Sequence, residues 1–181
     1  INKDTNHEAK ILDAQVLELN FDEIRKEVKK INPDVVGMSA FTFTLLDSLY
    51  TAKIVKEINQ DTKIILGGAH PTLFPYETIK QANIDIVVAG EGEITFQKLI
   101  NNLNNGKRLN EVDGILFKKD DKILKTKPRE FIKNLDDLPI CDRTLTPYKK
   151  YFSVLSKRNP LTTAVTSRGC SYKCTFCDRP Q

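Results

Sequence analysis

Short apolar runs alternate with stretches of helical periodicity along the first part of the chain. A continuous apolar run bounded by turn residues is typical of a strand buried on both faces, as the strands of a parallel sheet are. On this basis we predict strands over residues 9–14, 34–40, 63–66 and 85–89. Their alternation with helical segments favours an α/β fold.

Helical segments separate the predicted strands. Asn20 stands as an N-cap with Glu23 placed to reach back to it, and Asn32-Pro33 ends this first helix. Its buried face consists of apolar residues at helical spacing: Phe21, Ile24, Val28 and Ile31. The same periodicity predicts a helix from the loop 41–44 to about Asn59 and a short helix over residues 75–82. A further helix buries one apolar face, formed by Phe96, Leu99, Ile100 and Leu103.

Four successive βα units predict a Rossmann-like, doubly wound parallel sheet. We assign residues 1–112 to this domain. Because only residues 1–8 precede the first predicted strand, we expect that the first strand of the domain is missing from the chain.

The pattern changes after residue 112. Residues 114–118 and 122–126 flank Lys119-Asp120-Asp121, which predicts a β-hairpin appended to the sheet within residues 113–133. A polar, proline-bearing linker is predicted over residues 134–160. The β-branched run 161–166 predicts a strand that leads into a cysteine-rich loop, so residues 161–181 would begin a second domain.

Cys170, Cys174 and Cys177 form the pattern Cys-x3-Cys-x2-Cys near the end of the chain. Three thiolates from one loop can hold an iron–sulfur cluster and leave one iron open. Disulfides are disfavoured because the polar start of the chain is no signal peptide and the cysteines cluster. The fourth cysteine, Cys141, is interpreted as an incidental thiol, with completion of a tetrahedral zinc site as the alternative.

Composition excludes several functions. The chain of 181 residues is 40% hydrophobic and 29% charged, with a net charge of +4 and no dense basic block. This balance disfavours nucleic-acid binding, and no apolar run is long enough to span a bilayer. We therefore expect a cytoplasmic globular protein.

The loops after the predicted strands are the candidate ligand site, because ligands of parallel sheets lie beyond the carboxyl ends of the strands. Glycines in Gly67-Gly68 and Gly90-Glu91-Gly92 leave room for a bulky ligand, although glycines also simply make tight turns. No dinucleotide fingerprint and no P-loop is present, which disfavours a nucleotide. We interpret His70 as a satisfied surface or turn histidine and not as a metal ligand.

Four segments resemble one known family in order and spacing: Leu66-Gly-Gly-Ala-His-Pro-Thr72, the run from Val87 to Phe96, Leu135-Asp-Asp-Leu-Pro139 and the run from Thr166 to Cys177. They are similar to the cobalamin-dependent radical S-adenosylmethionine (SAM) enzymes, in the branch of the anaerobic magnesium-protoporphyrin monomethyl ester cyclases and their methyltransferase-like relatives. The sequence departs from the family at Ser171, where the family often has proline.

The resemblance implies cofactors and their binding residues. Cys170, Cys174 and Cys177 would ligate a 4Fe-4S cluster whose fourth iron binds SAM, with Phe176 beside the cluster and the adenine. Cobalamin would lie on the loops after the strands, on Ser39, Ala40, Phe41, Thr42, Gly67, Gly68, Ala69, His70, Pro71, Gly90, Glu91 and Gly92. A reductant such as ferredoxin or flavodoxin is implied as a partner.

The implied reaction is methyl transfer or ring formation at an unactivated carbon through a 5′-deoxyadenosyl radical. The family typically binds the corrin without a protein histidine on cobalt, and the motif Asp-x-His-x-x-Gly is absent from the sequence. We expect the barrel that would bind SAM and substrate to lie outside these residues, so we assign no catalytic residue and expect no radical catalysis from these residues alone. The alternatives are a free-standing cobalamin carrier or sensor and a structural zinc knuckle.

Overall fold

The computed structural model describes residues 7–177. The chain divides into two compact units. One comprises the segment up to Ala9 and residues 18–131, and the other comprises residues 10–17 and the chain from Ile132 onward. The first unit is an α/β domain, and the second consists of short 3-10 helices, turns and irregular segments. Among the described residues, no helix has both the length and the apolar character that a membrane span requires.

The α/β unit begins with helix α1, Phe21–Ile31. The capping box predicted from the sequence is confirmed, since the Asn20 side chain accepts the backbone N–H of Glu23 at 3.0 Å and the Glu23 carboxylate accepts the N–H of Asn20 at 2.9 Å. The helix ends at Asn32, which takes a left-handed conformation with φ of 45°.

Five strands form one sheet in chain order: β1 Val35–Ser39, β2 Lys63–Gly67, β3 Ile86–Val88, β4 Ile115–Lys119 and β5 Lys122–Lys125. The first three are parallel, and β4 and β5 run antiparallel to their neighbours. The connecting helices are α2 Leu45–Ile58, α3 Ala69–Leu73, α4 Pro75–Ile79 and α5 Gly92–Asn104. The predicted Rossmann-like α/β class is confirmed.

Both faces of the sheet are covered. Ile65, Ile86 and Val88 pack with Leu99 of α5 on one face. Side chains alternate along a strand, so Ile64 and Leu66 point to the other face, and they are fully buried as well. Of the short helices, α3 contacts β2 and β3, and α4 contacts β3 and β4.

The predicted hairpin is confirmed and is built into the same sheet. Asp120 and Asp121 both take positive φ, 48° and 59°, as a two-residue hairpin turn requires. Strand β4 pairs with β3, and Ile115, Leu116 and Phe117 are buried in the core.

The strand predicted over residues 9–14 is wrong. Residues 14–18 form a turn in which the Asp13 carboxylate accepts the N–H of Val16 and the Asp13 carbonyl accepts the N–H of Leu17. Glu18, the last residue of this turn, takes a positive φ of 55°. These local bonds compete with an extended ladder, so the sheet has three parallel strands and not four.

Two other sequence-based elements differ from the structure. The strand predicted over residues 161–166 is wrong, since the described chain provides no neighbouring strand to pair with this extended segment. The Arg143 guanidinium bonds the carbonyl of Thr163 at 2.6 Å. Helix α4 ends at Ile79 and not at Ala82, and a further short helix, α3, precedes it.

Candidate functional site

The loops after β1, β2 and β3 meet at the carboxyl edge of the parallel strands. The N–H of Ala40 donates to the carbonyl of Gly67 at 2.8 Å, and the N–H of His70 donates to the carbonyl of Ala40 at 3.1 Å. The backbone of Ala40 is therefore bonded on both sides of Gly68, to Gly67 at the end of β2 and to His70 beyond it. The structure thus brings together two of the three loops that the sequence predicted as a site.

Thr72 joins the third loop to this group. Its hydroxyl donates to the carbonyl of Gly68 at 2.8 Å and accepts the N–H of Gly90 at 3.0 Å. Sequence reasoning did not name Thr72 as a site residue, although its place in the Gly-Gly-Ala-His-Pro-Thr segment marks it. All three strand ends are consequently held by one hydrogen-bonded network, which we call the strand-end platform (residues 39–42, 67–72 and 90–92).

Gly68 is the tightest point of the strand-end platform. Its φ of 100° and ψ of −168° belong to a region that only glycine adopts readily. A Cβ atom there would lie 2.6 Å from the Ser39 hydroxyl and 2.9 Å from the backbone N and O of Ala40. A Cβ at Gly67 would meet only ordinary contacts, at 3.6 Å or more. Glycine at position 68 therefore allows the loops after β1 and β2 to touch.

Gly90 has the opposite surroundings. Its φ is 89°, yet a Cβ there would have nothing within 4 Å. This side of the Gly90 backbone is therefore open, two residues before α5 begins at Gly92. An accessible glycine backbone of this kind can be approached closely by a ligand.

His70 is buried, with only 4% of its surface exposed. The Thr42 hydroxyl lies 3.1 Å from its Nδ1. Its Nε2 is buried and has no hydrogen-bond partner within the described chain, an arrangement that costs about 1–3 kcal/mol. The interpretation of His70 as a satisfied surface or turn histidine is wrong, because the segment folds into α3 and turns the ring inward.

Large apolar side chains are exposed next to the strand-end platform. Phe41 and Phe43 stack with their ring centroids 5.5 Å apart and an angle of 7° between their planes, and the exposed fraction of Phe43 is 83%. Leu46, Leu73 and Phe74 are exposed as well. Such a group of apolar side chains marks a surface that binds another molecule. Phe43 and Leu46 were missed because the sequence pattern does not tell exposed apolar residues from buried ones.

The cysteines lie in the other unit. Cys141, Cys170, Cys174 and Cys177 are all exposed thiols. The N–H of Cys177 bonds the carbonyl of Cys174 at 3.3 Å, while Gly169 turns the chain before Cys170 at φ of 82°. Within residues 7–177 the structure gathers no three metal-ligating side chains, so neither the cysteine triplet nor the triplet with Cys141 is assembled as a metal site. Phe176 is exposed beside them.

The strand-end platform suits a large ligand with polar edges and an apolar body. It supplies an open glycine backbone at Gly90, hydroxyls at Ser39 and Thr42, and the exposed ring of Phe41, against which the neighbouring Phe43 stacks. The fold and this edge define a Rossmann-like ligand-binding domain. The three thiols have the donor chemistry of an iron–sulfur ligand set.

Comparisons with known proteins identify the family. Residues 2–100 match the B12 binding domain. The chain is 38% identical over 172 residues to the uncharacterized methyltransferase PH0819 of Pyrococcus horikoshii, covering 94% of this chain and 37% of that protein. It is 31% identical over 174 residues to the anaerobic magnesium-protoporphyrin IX monomethyl ester cyclase of Rubrivivax gelatinosus, covering 93% of this chain and 31% of that protein.

A solved structure agrees at the level of the fold. The radical S-adenosylmethionine methyltransferase TsrM of Kitasatospora setae, with cobalamin and a 4Fe-4S cluster bound, superposes with a TM-score of 0.59 at 14% identity, covering 77% of this chain and 26% of that one. The chain spans about a third of the length of the curated relatives named above. It belongs to the B12 binding domain family, and the resemblance noted in the sequence is confirmed.

Proposed function

We propose that this chain binds cobalamin on the strand-end platform and is the cobalamin-binding part of a radical SAM enzyme. The observation that carries the proposal is the network through Ala40, Gly68 and Thr72, which fixes three loops at one edge within the residues matched by the B12 binding domain. The proposed reaction is methyl transfer or ring formation at an unactivated carbon.

The residues of the strand-end platform have distinct proposed roles. Gly68 lets the loops after β1 and β2 approach, while Gly90 leaves its backbone open to the ligand. The hydroxyls of Ser39 and Thr42 can bond the polar edge of the corrin, and Phe41 and Phe43 can cover its apolar parts. Helix α5 begins at Gly92, with Glu91 as its N-cap, at the same carboxyl edge of the sheet.

The cysteine triplet has a separate proposed role. Cys170, Cys174 and Cys177 would deprotonate and ligate a 4Fe-4S cluster, and Phe176 would lie beside it. Bound cobalamin would supply a transferable methyl group, and the cluster would supply the electron that cleaves SAM. A ferredoxin- or flavodoxin-type reductant is part of the proposal.

Uptake of cobalamin tests the proposal directly. The purified chain is incubated with hydroxocobalamin and separated from free ligand by gel filtration, and the absorbance of the protein peak is recorded. We expect equimolar cobalamin on the protein peak. The double substitution Phe41→Ser and Phe43→Ser removes the stacked aromatic pair and should weaken cobalamin binding. The control substitution Phe131→Ser, at an exposed aromatic residue away from this pair, should leave binding unchanged. A colourless protein peak at saturating cobalamin contradicts the proposal.

A free-standing cobalamin carrier or sensor is the second candidate. The observation that favours it is that the match to the B12 binding domain, residues 2–100, does not include the three cysteines. Anaerobic reconstitution with iron and sulfide distinguishes the two candidates. A brown, cluster-loaded protein favours the radical SAM enzyme, whereas cobalamin binding without any iron uptake favours the carrier.

A further inference from the structure

The imidazole of His70 is fixed on one side and unsatisfied on the other. Its backbone N–H bonds the carbonyl of Ala40 at 3.1 Å, and its Nδ1 lies 3.1 Å from the Thr42 hydroxyl. The ring therefore has one orientation relative to the loop after β1. Its Nε2 is buried and has no hydrogen-bond partner within residues 7–177. Buried polar atoms without a partner are rare in native proteins and call for a specific explanation.

The position of His70 suggests what that partner is. It lies between Gly68, which touches Ala40, and Thr72, which bonds Gly90, so it belongs to the centre of the strand-end platform. The ring of Phe74 lies beside the imidazole, with centroids 5.2 Å apart, and this ring is itself half-exposed. A ligand on the platform would reach the imidazole by rotation of this half-exposed ring into solvent.

We propose that His70 Nε2 is a positioning group that hydrogen-bonds a carboxamide of the corrin. The inference rests on the proposed function above. The Thr42 hydroxyl can donate to Nδ1 or accept from it, so either tautomer of His70 fits the free protein. A carboxamide carries both N–H donors and a carbonyl acceptor, so it satisfies Nε2 in either tautomer. Cobalamin carries several such amides around its ring.

Nitrogen NMR of the imidazoles tests the contact in the unmodified chain. The chain has two histidines, and His7 is an internal control because its Nε2 already lies 3.0 Å from the Asn101 side-chain oxygen. We expect hydroxocobalamin to shift the Nε2 resonance of His70 and to leave that of His7 unchanged. Cobinamide, which keeps the corrin amides and lacks the nucleotide, should give the same shift.

Two outcomes of this titration overturn the inference alone. One is cobalamin binding with an unmoved His70 resonance, and the other is a shift produced by cobalamin but not by cobinamide. A chain that binds neither ligand overturns the proposed function and this inference together. The two failures are therefore distinguishable in one experiment.

Two conservative variants separate the ring nitrogens. His70→Gln places an amide near the position of Nε2, whereas His70→Asn places one near Nδ1 and leaves the Nε2 position empty. We expect the Gln variant to bind cobalamin within about threefold of the unmodified chain and the Asn variant to bind roughly tenfold more weakly. Thermal unfolding verifies that both variants fold. The reverse order of affinities, with Asn better than Gln, would mean that only the Thr42 contact matters and would overturn the inference.

Discussion

The Thr72 hydroxyl accepts the backbone N–H of Gly90 at 3.0 Å, and this bond joins the ends of two parallel strands. The same hydroxyl donates to the carbonyl of Gly68 at 2.8 Å. One side chain therefore connects the loop that leaves β2 with the loop that leaves β3. In the proposed function, this connection holds the platform in the conformation that receives cobalamin.

Replacement of Thr72 by valine should loosen the platform. The variant keeps the shape of the side chain but loses both hydrogen bonds, so we expect about 1 kcal/mol less stability in urea unfolding. Cobalamin affinity, measured by absorbance titration, should fall roughly tenfold because the Gly90 loop is no longer held. Thr72→Ser retains the hydroxyl and should bind as the unmodified chain does. Equal affinity for the Val and Ser variants would show that the Thr72–Gly90 bond does not organise the site.

The two neighbouring glycines should respond very differently to alanine. Gly68→Ala forces a Cβ to within 2.6 Å of the Ser39 hydroxyl at a strained φ, so we expect a loss of about 2–3 kcal/mol. Gly67→Ala meets only ordinary contacts and should change stability by less than about 1 kcal/mol. Thermal unfolding of the pair provides the comparison. Similar melting temperatures for both variants would contradict the close approach at Gly68.

The cysteine triplet should control iron uptake. Alanine at Cys170, Cys174 or Cys177 should each abolish the brown absorbance after anaerobic reconstitution, because a cluster held by three thiolates does not survive on two. Cys141→Ala is the matched control and should load normally. Stoichiometric zinc in aerobically purified protein that depends on Cys141 would instead support the zinc knuckle.

The opposite edge of the sheet is held by Asp85. Its carboxylate accepts the N–H of Ile64 at 2.7 Å and pairs with Lys56 Nζ at 2.9 Å, where the Lys56 side chain is largely buried. Asp85→Ala leaves that ammonium without its carboxylate, and we expect a loss of about 2 kcal/mol in urea unfolding. Asp85→Asn can still accept the N–H of Ile64 and should lose less.

The exposed pair of Arg25 and Glu57, at 2.6 Å, is the matched control for Asp85. The Arg25 hydrogen bond lowers the pKa of the Glu57 carboxyl. Both side chains are in contact with solvent, which screens the attraction between their charges. Glu57→Gln should therefore have a much smaller effect than Asp85→Ala. Equal effects would show that the burial of Lys56 is unimportant.

The second unit contains a titratable contact between Tyr151 and Asp13. The Tyr151 hydroxyl donates to the Asp13 carboxylate at 2.7 Å, and this bond raises the pKa of Tyr151 above its ordinary value of 10.0. A raised folded-state pKa means that the bond stabilises the fold below the unfolded pKa and that this contribution disappears as pH rises through the folded one. Alkaline titration of tyrosine absorbance should show one late transition, absent in Tyr151→Phe and shifted to lower pH in Asp13→Asn. An unchanged titration curve in Asp13→Asn would contradict the contact.

Local signals explain which elements could be predicted. The capping box at Asn20 and Glu23 and the hairpin turn at Asp120 and Asp121 depend on residues close in sequence, so both are confirmed. Residues 9–14 contain apolar residues as the confirmed strands do, and we predicted a strand there. In the structure, the Asp13 side chain instead accepts the N–H of Val16 and closes a turn. A strand also needs a neighbouring strand to accept and donate its backbone hydrogen bonds, and local sequence patterns do not show which segment will lie beside it.

The sequence by itself determined the α/β class, the parallel strands that carry glycines at their carboxyl ends, and the cysteine triplet. These follow from periodicity and spacing, which are local. Only the tertiary structure decided that His70 is buried with a free Nε2, that Thr72 joins Gly68 to Gly90, and that Phe43 is exposed. Those facts depend on which loops lie together at the edge of the sheet. The pairing of strands that are distant in the chain determines which loops these are.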